Sequence, residues 1–161
     1  MNNIWSPWRA EYILGPRQDG CLFCNAPKET DSLLIKESSH SFAIMNKFPY
    51  TTGHCMVAPV RHTGDISELI AEESADIFKL IQEVIAAIKQ SMRPEGFNIG
   101  INMGAAAGAG IADHIHVHIV PRWSGDANFM SVVGEVRVIP EDIHKTCEIL
   151  LPYFEKYRPE V

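Results

Sequence analysis

An α+β domain, with helices packed against one antiparallel sheet, is the fold class this amino-acid sequence predicts. Three observations lead there. Strand-forming segments between Leu33 and Ala58 follow one another through a Pro/Gly turn, the pattern of an antiparallel meander. One long stretch, Ala71 to Met92, carries its apolar residues at helical spacing. The 161 residues, 46% of them hydrophobic, suffice for one domain with one substantial core and are too few for two ordinary domains.

The elements follow in order. The start of the chain is rich in Trp, Pro and Gly, and Trp5-Ser6-Pro7-Trp8 reads as an irregular arm that lays aromatic surface on its own domain or on another surface. Two strands are expected next, the first from Leu33-Leu34-Ile35 together with His40 to Met45, the second from His54 to Ala58, joined by a turn at Pro49 and Gly53. In the helix over Ala71 to Met92, one stripe holds Ile77, Leu80, Ile81, Val84, Ile85 and Ile88, with Glu72, Glu73, Lys79, Gln82 and Lys89 largely opposite. Arg93-Pro94-Glu95-Gly96 ends it. Phe97 to Met103 is the next strand, Gly104 to Gly110 a flexible Gly/Ala loop, and Ile111 to Val120 a strand stopped by Pro121. A short strand at Glu135 to Ile139 precedes a final helix over Pro140 to Lys156. The expected organisation is an arm over 1–20, a domain over 21–139 and a C-terminal helix over 140–161 packed on the same domain.

The formal charge of −6 and pI near 5.6 provide no global positive field for a nucleic-acid backbone or an anionic membrane, so neither is an expected partner and any phosphate must be bound locally. Met1 to Leu14 lacks the unbroken apolar core of a signal peptide, and no apolar run is long enough to span a bilayer. Cys55 and Cys147 stand alone in apolar contexts, while Cys21 and Cys24 form a C-x-x-C pair. A cytoplasmic, reducing environment is expected.

The sharpest motif is His114-Ile115-His116-Val117-His118, because strand geometry sends alternate residues to one face and so lines up three imidazoles. Ile115, Val117 and Ile119 then point the other way, toward a helix. Such a face suits a metal cluster, imidazole being the commonest transition-metal ligand. The adjacent run Gly104-Ala105-Ala106-Ala107-Gly108-Ala109-Gly110 favours phosphoryl chemistry instead, since small residues let backbone N–H groups approach phosphate oxygens. The C-x-x-C pair reads either as half of a zinc knuckle or as two reduced core cysteines.

His114 through Val120 resembles the signature of the histidine triad (HIT) family of nucleotide hydrolases and transferases, three histidines spaced by apolar residues and closed by two more. The resemblance runs from about Cys21 to Trp123, through Asn46, His54 in Gly53-His54-Cys55-Met56-Val57-Ala58-Pro59, and Arg61-His62. Trp5-Ser6-Pro7-Trp8-Arg9 and Pro121 to Phe129 are most similar to the branch of diadenosine tetraphosphate phosphorylases. The resemblance implies a HIT-like antiparallel sheet with one long packing helix and a C-terminal helix. It implies His116 as the nucleophile on the α-phosphorus, with His118 and His54 facing the phosphates to stabilise charge or handle the leaving-group proton. It implies Asn46 at the ribose hydroxyls, Leu22, Phe23, Ala26 and Ile44 around the base, and Asn102 with Gly108, Ala109 and Gly110 on the phosphate side. It further implies a structural zinc on Cys21, Cys24, His62 and His114, and a homodimer paired through the long helix with the sheet extended across a two-fold axis.

One departure is informative. Where most of the family reads Gly-Gln-Ser/Thr-Val before the triad, this chain reads Gly108-Ala109-Gly110-Ile111-Ala112-Asp113, without the glutamine. The small residues leave room beside the α-phosphate for a second acceptor. The expected substrate is an adenine nucleotide or dinucleoside polyphosphate, and the expected reaction is phosphorolysis of diadenosine tetraphosphate to ATP and ADP with inorganic phosphate as acceptor. Hydrolysis releasing AMP, or nucleotide binding without catalysis, is the alternative.

Overall fold

Residues 20–28, 33–126 and 142–155 are described by the structure, a computed structural model. Its sheet is five-stranded and antiparallel, formed by β1 (Leu34–Glu37), β2 (Ser41–Met45), β3 (Cys55–Pro59), β4 (Gly96–Ile101) and β5 (Val117–Arg122) in the spatial order β1-β2-β3-β5-β4. Among the described residues the α-helices are a single turn, α1 (Leu22–Asn25), the long α2 (Ala71–Met92) and α3 (Ile143–Glu155). The predicted α+β class is observed. The N-terminal arm up to residue 19, the short strand over 135–139 and the end of the phosphorylase-like flank at 127–129 lie outside the described residues.

Strand alternation gives the sheet two different faces. Ala43, Met45, Cys55, Val57, Val117 and Ile119 point to one side, where Leu80, Val84 and Ile88 of α2 and Leu150 and Phe154 of α3 complete the main core. Leu80, Val84 and Ile88 are at most 1% exposed, and burial of each is worth about 1.5–3 kcal/mol. The opposite face carries Phe42, Ile44, Met56 and Ala58, which cluster with Phe23 and Ala26. Register places Ile44 beside Met56, Met56 beside His118, and His118 beside Gly100 in one row across four strands.

Helix α2 spans the residues that the spacing predicts. Glu73, expected among its solvent-facing residues, is instead 4% exposed. Its carboxylate accepts Nε–H and Nη2–H of Arg61 at 2.7 and 2.8 Å and the Ile70 N–H at 3.1 Å, so it caps the helix and is neutralised by the cation. Arg93, at φ 51°, and then Pro94 end the helix.

Three strand expectations are corrected. The first of the two strands expected before Ala58 is a hairpin, β1 and β2, broken at residues 38–40: the Ser38 N–H donates to Ser41 O at 2.8 Å, and Ser38 Oγ, His40 N–H and Ser41 Oγ all donate to Asp76 of α2. The strand expected from Ile111 begins only at Val117. Opposite its missing half, β3 ends in Pro59, which has no N–H to continue the ladder, and β4 ends at Ile101. Pro121 does not stop β5 but sits within it, opposite Phe97. Its carbonyl accepts Thr51 Oγ1–H at 3.0 Å on the side where β3 has not yet begun, so its missing N–H faces no strand.

Candidate active site

The triad occupies the junction between an irregular segment and a strand. His114 and His116 precede β5 and His118 lies within it, yet the three imidazoles come together as the spacing predicts. Two anchors hold the irregular part: the Ile115 N–H donates to Thr63 O at 2.7 Å, and Gly64 lies so close to Ala112 that an added Cβ would stand 2.6 Å from its carbonyl oxygen. Phe23, carried on α1, packs its ring 4.6 Å from His116 and 5.3 Å from His114.

Each histidine has a different environment. His114 is fully buried, and its Nε2–H donates to the Pro59 carbonyl at 2.8 Å, which leaves the Nδ1 lone pair facing Cys21 Sγ at 3.3 Å and Cys24 Sγ at 3.6 Å. His62 brings Nδ1 to 3.3 Å from Cys24 Sγ. The four donor atoms of Cys21, Cys24, His62 and His114 all lie within 4.8 Å of one another. Zinc, with bonds of about 2.3 Å to sulfur and about 2.0 Å to nitrogen, spaces tetrahedral donors by roughly 3.3–3.8 Å. The donor set and the three sulfur–nitrogen separations of 3.3, 3.3 and 3.6 Å fit that ion. Burial and then the neighbouring Cys21 push the Cys24 thiol up, a disfavoured anion of the kind a divalent cation stabilises. The carbonyl of Pro59 supplies the outer hydrogen bond that fixes the His114 tautomer.

His116, 5% exposed, donates Nδ1–H to the His114 carbonyl at 2.9 Å. A carbonyl can only accept, so the proton is on Nδ1 and the lone pair is on Nε2. Burial pushes the His116 pKa down, against the opposing pull of that carbonyl, and keeps the ring neutral near pH 7. His118 is pushed down to about 4 by burial first and by His116 second. Its Nδ1 stands 3.0 Å from Nε2 of the buried His54.

The other expected site residues divide into groups. Phe23, Ala26 and Ile44 are buried in the smaller cluster beside the triad, on the same face of the sheet, with Leu22 partly buried against it. Asn46 is occupied locally: its Oδ1 accepts the Phe48 N–H at 2.9 Å, and its Nδ2 lies 3.3 Å from His54 Nδ1. Asn102 lines a cavity of about 310 Å³ shared with Tyr50, Asn98, His118 and Arg122. The Gly/Ala loop is not open along its length. Ala107 and Ala109 donate their N–H groups to Gly104 O and Gly108 donates to Ala105 O, which leaves Gly110 as the member of the expected trio whose amide has no partner among the described residues.

Sequence reasoning missed the roles of Tyr50, Pro59, Thr63 and Gly64. Pro59 and Thr63 act through carbonyls, which leave no signature in side-chain type. Gly64 offered a signal, a glycine two residues after a candidate ligand, and Tyr50 sits in a turn whose sequence signal is its Pro and Gly.

Comparison with known proteins agrees with this geometry. Residues 27–125 match the family model for the HIT domain. The chain is 35% identical over 164 aligned positions to the AP-4-A phosphorylase of Mycobacterium tuberculosis, spanning 93% of this chain and 83% of the relative. Among solved structures, a zinc-bound histidine triad family protein from Mycobacterium smegmatis superposes with a TM-score of 0.69 at 30% identity, over 84% of this chain and 94% of that one. A hypothetical histidine triad nucleotide-binding protein from Sulfolobus tokodaii gives 0.71 at 27% identity, over 88% and 96%.

Proposed function

The chain belongs to the HIT domain family, and on that premise we propose that it is a dinucleoside polyphosphate phosphorylase working through a covalent nucleotidyl-histidine on His116. The observation that carries this reading is the His116 ring: neutral, buried, its Nδ1–H tied to a backbone carbonyl and its Nε2 lone pair left for attack on the α-phosphorus. The likeness to the mycobacterial phosphorylase supports the substrate class.

In the first step Nε2 forms a bond to phosphorus as the bond to the bridging oxygen breaks, and that oxygen leaves with the remaining phosphates. In the second, an oxygen of inorganic phosphate attacks phosphorus and the N–P bond breaks, returning the lone pair to Nε2. From diadenosine tetraphosphate the products are ATP and ADP. Leu22, Phe23, Ala26 and Ile44 form the base side of the site, Asn46 holds the ribose, and Asn102 with the Gly110 amide holds phosphate oxygens beside His118 and His54. Within the expected trio, Gly108 and Ala109 shape the loop that presents Gly110.

Cys21, Cys24, His62 and His114 would hold a zinc ion, which would supply a cross-link between α1 and the triad segment and no step of the chemistry. The domain over 21–139 and the C-terminal helix act as one unit, α3 sharing the main core with α2. Two chains pair along the exposed edge strand β4, where Ile99, Ile101 and the following Met103 lie open to solvent. The cysteine usage suits the cytoplasm.

The test is incubation with diadenosine tetraphosphate, with and without inorganic phosphate, followed by ion-exchange separation. ADP that forms only with phosphate supports phosphorolysis. AMP in both reactions makes the protein a hydrolase, and binding without any product makes it a nucleotide-binding protein.

A further inference from the structure

Tyr50 has no place in the chemistry set out above, yet two parts of it touch the histidines. Its backbone N–H donates to His54 Nδ1 at 3.0 Å. Its ring lies over His54 with centroids 4.6 Å apart and beside His118 at 5.9 Å. The loop that carries it is held by Asn46, whose Oδ1 accepts the Phe48 N–H at 2.9 Å while Nδ2 lies 3.3 Å from His54 Nδ1 and 3.4 Å from its Nε2, so that this amide does not by itself choose the tautomer. A backbone N–H can only donate, so His54 Nδ1 must accept, and in the neutral ring the proton is then on Nε2. That proton is directed at His118 Nδ1, 3.0 Å away. His118 Nδ1 must accept in turn, and its own proton is on Nε2.

We propose that Tyr50 is a positioning residue whose backbone N–H sets the tautomers of both His54 and His118, so that His118 presents a fixed Nε2–H donor to the substrate phosphates. The inference rests on the reading of His116 as nucleophile and settles which of two roles His118 takes. The relay ends in an amide, which has no proton to give. A neutral His118 that gave up Nε2–H would become an imidazolate, and the relay could return a proton to its Nδ1 only by making His54 an imidazolate instead, so His118 stabilises charge by hydrogen bonding and does not act as the acid. The leaving group needs no acid: a terminal phosphate has a second pKa of about 6 and departs as an anion at neutral pH. The low pKa of His118 agrees with the same neutral form.

The experiment reads the tautomers directly, by long-range proton–nitrogen NMR on ¹⁵N-histidine-labelled full-length protein, without substrate. The expected wild-type spectrum shows His54 and His118 both protonated on Nε2 and not on Nδ1. Tyr50→Pro removes the N–H, and Tyr50→Ala removes the ring but keeps it. The His54 signature is expected to persist in Tyr50→Ala and to become a mixture in Tyr50→Pro, with kcat for diadenosine tetraphosphate about tenfold or more below that of Tyr50→Ala and KM within about twofold, the scale set by loss of one oriented donor. A wild-type His54 protonated on Nδ1 overturns the proposal, and so does a folded Tyr50→Pro protein with an unchanged His54 signature. If Tyr50→Pro does not fold, the wild-type and Tyr50→Ala spectra decide. The spectra are read without turnover, so a protein with these tautomers and no phosphorylase activity overturns the functional reading alone.

Discussion

Gly64→Ala tests how the irregular segment before β5 is held. The new Cβ would stand 2.6 Å from Ala112 O and 3.2 Å from Asp113 Cα, both backbone atoms that cannot rotate away. Carbon against a carbonyl oxygen tolerates about 3.3 Å, so the Ala112 carbonyl must retreat by roughly 0.7 Å. That movement enters the chain two residues before His114, whose Nδ1 stands 3.3 and 3.6 Å from two thiols. Overpacking of this kind costs about 1–3 kcal/mol, and at about 2–4 °C per kcal/mol for a chain of this size Tm should fall by roughly 2–12 °C. Zinc affinity, measured by competition with a chromophoric chelator, should fall in the same variant. Gly96→Ala is the control, since nothing lies within 4 Å of a Cβ there. If Gly64→Ala matches the wild type in both Tm and zinc affinity, the claim that this contact seats the triad is wrong.

Three further outcomes are expected. Elemental analysis of protein purified without chelators should give one zinc per chain, and Cys24→Ser should lose it together with several degrees of Tm; metal-free wild-type protein would remove the cross-link from the account. Glu73, held down to about 2 mainly by Arg61, contributes stability that is fully present above the ordinary carboxylate range near 4.5 and is lost as pH falls toward 2. The urea midpoint of wild type should therefore exceed that of Glu73→Gln at pH 7, with the gap narrowing as pH falls below about 4.5 and closing only near pH 2, and a constant gap would contradict the assignment. Light scattering should report twice the 18.0 kDa chain mass at micromolar concentration, and Ile101→Lys on the open β4 edge should shift the mass toward one chain; a wild-type monomer refutes the pairing.

What the sequence made legible was what side-chain periodicity encodes. The apolar period of α2 marked its residues from Ala71 to Met92, and the alternate histidines announced a shared face before any strand was placed. The places where structure departed from the reading are those where backbone groups or distant partners decide. Glu73 looks like a surface charge until Arg61 folds onto it from the preceding segment. The strand from Ile111 fails because Pro59, more than fifty residues earlier, ends the neighbouring ladder, and Pro121 survives inside β5 because its N–H-deficient side faces no strand. The cluster of two cysteines and two histidines was legible as residue types, whereas the carbonyl of Pro59 that orients His114 was not. The Gly/Ala loop was legible as small residues, but its turning of three amides inward depends on positive φ at Gly104 and Gly108, which composition alone does not specify.

The central claim is that Nε2 of His116 carries the nucleotide during turnover. The most direct measurement is acid-free quenching of the protein during steady-state reaction with diadenosine tetraphosphate, followed by peptide mass spectrometry under the alkaline conditions that preserve a phosphoramidate. One adenylyl group on the peptide containing His116 is the expected result, absent in His116→Ala, whose turnover should be lost. A wild-type enzyme that turns over with no adduct on that peptide, or a His116→Ala protein that keeps its rate, would contradict the account.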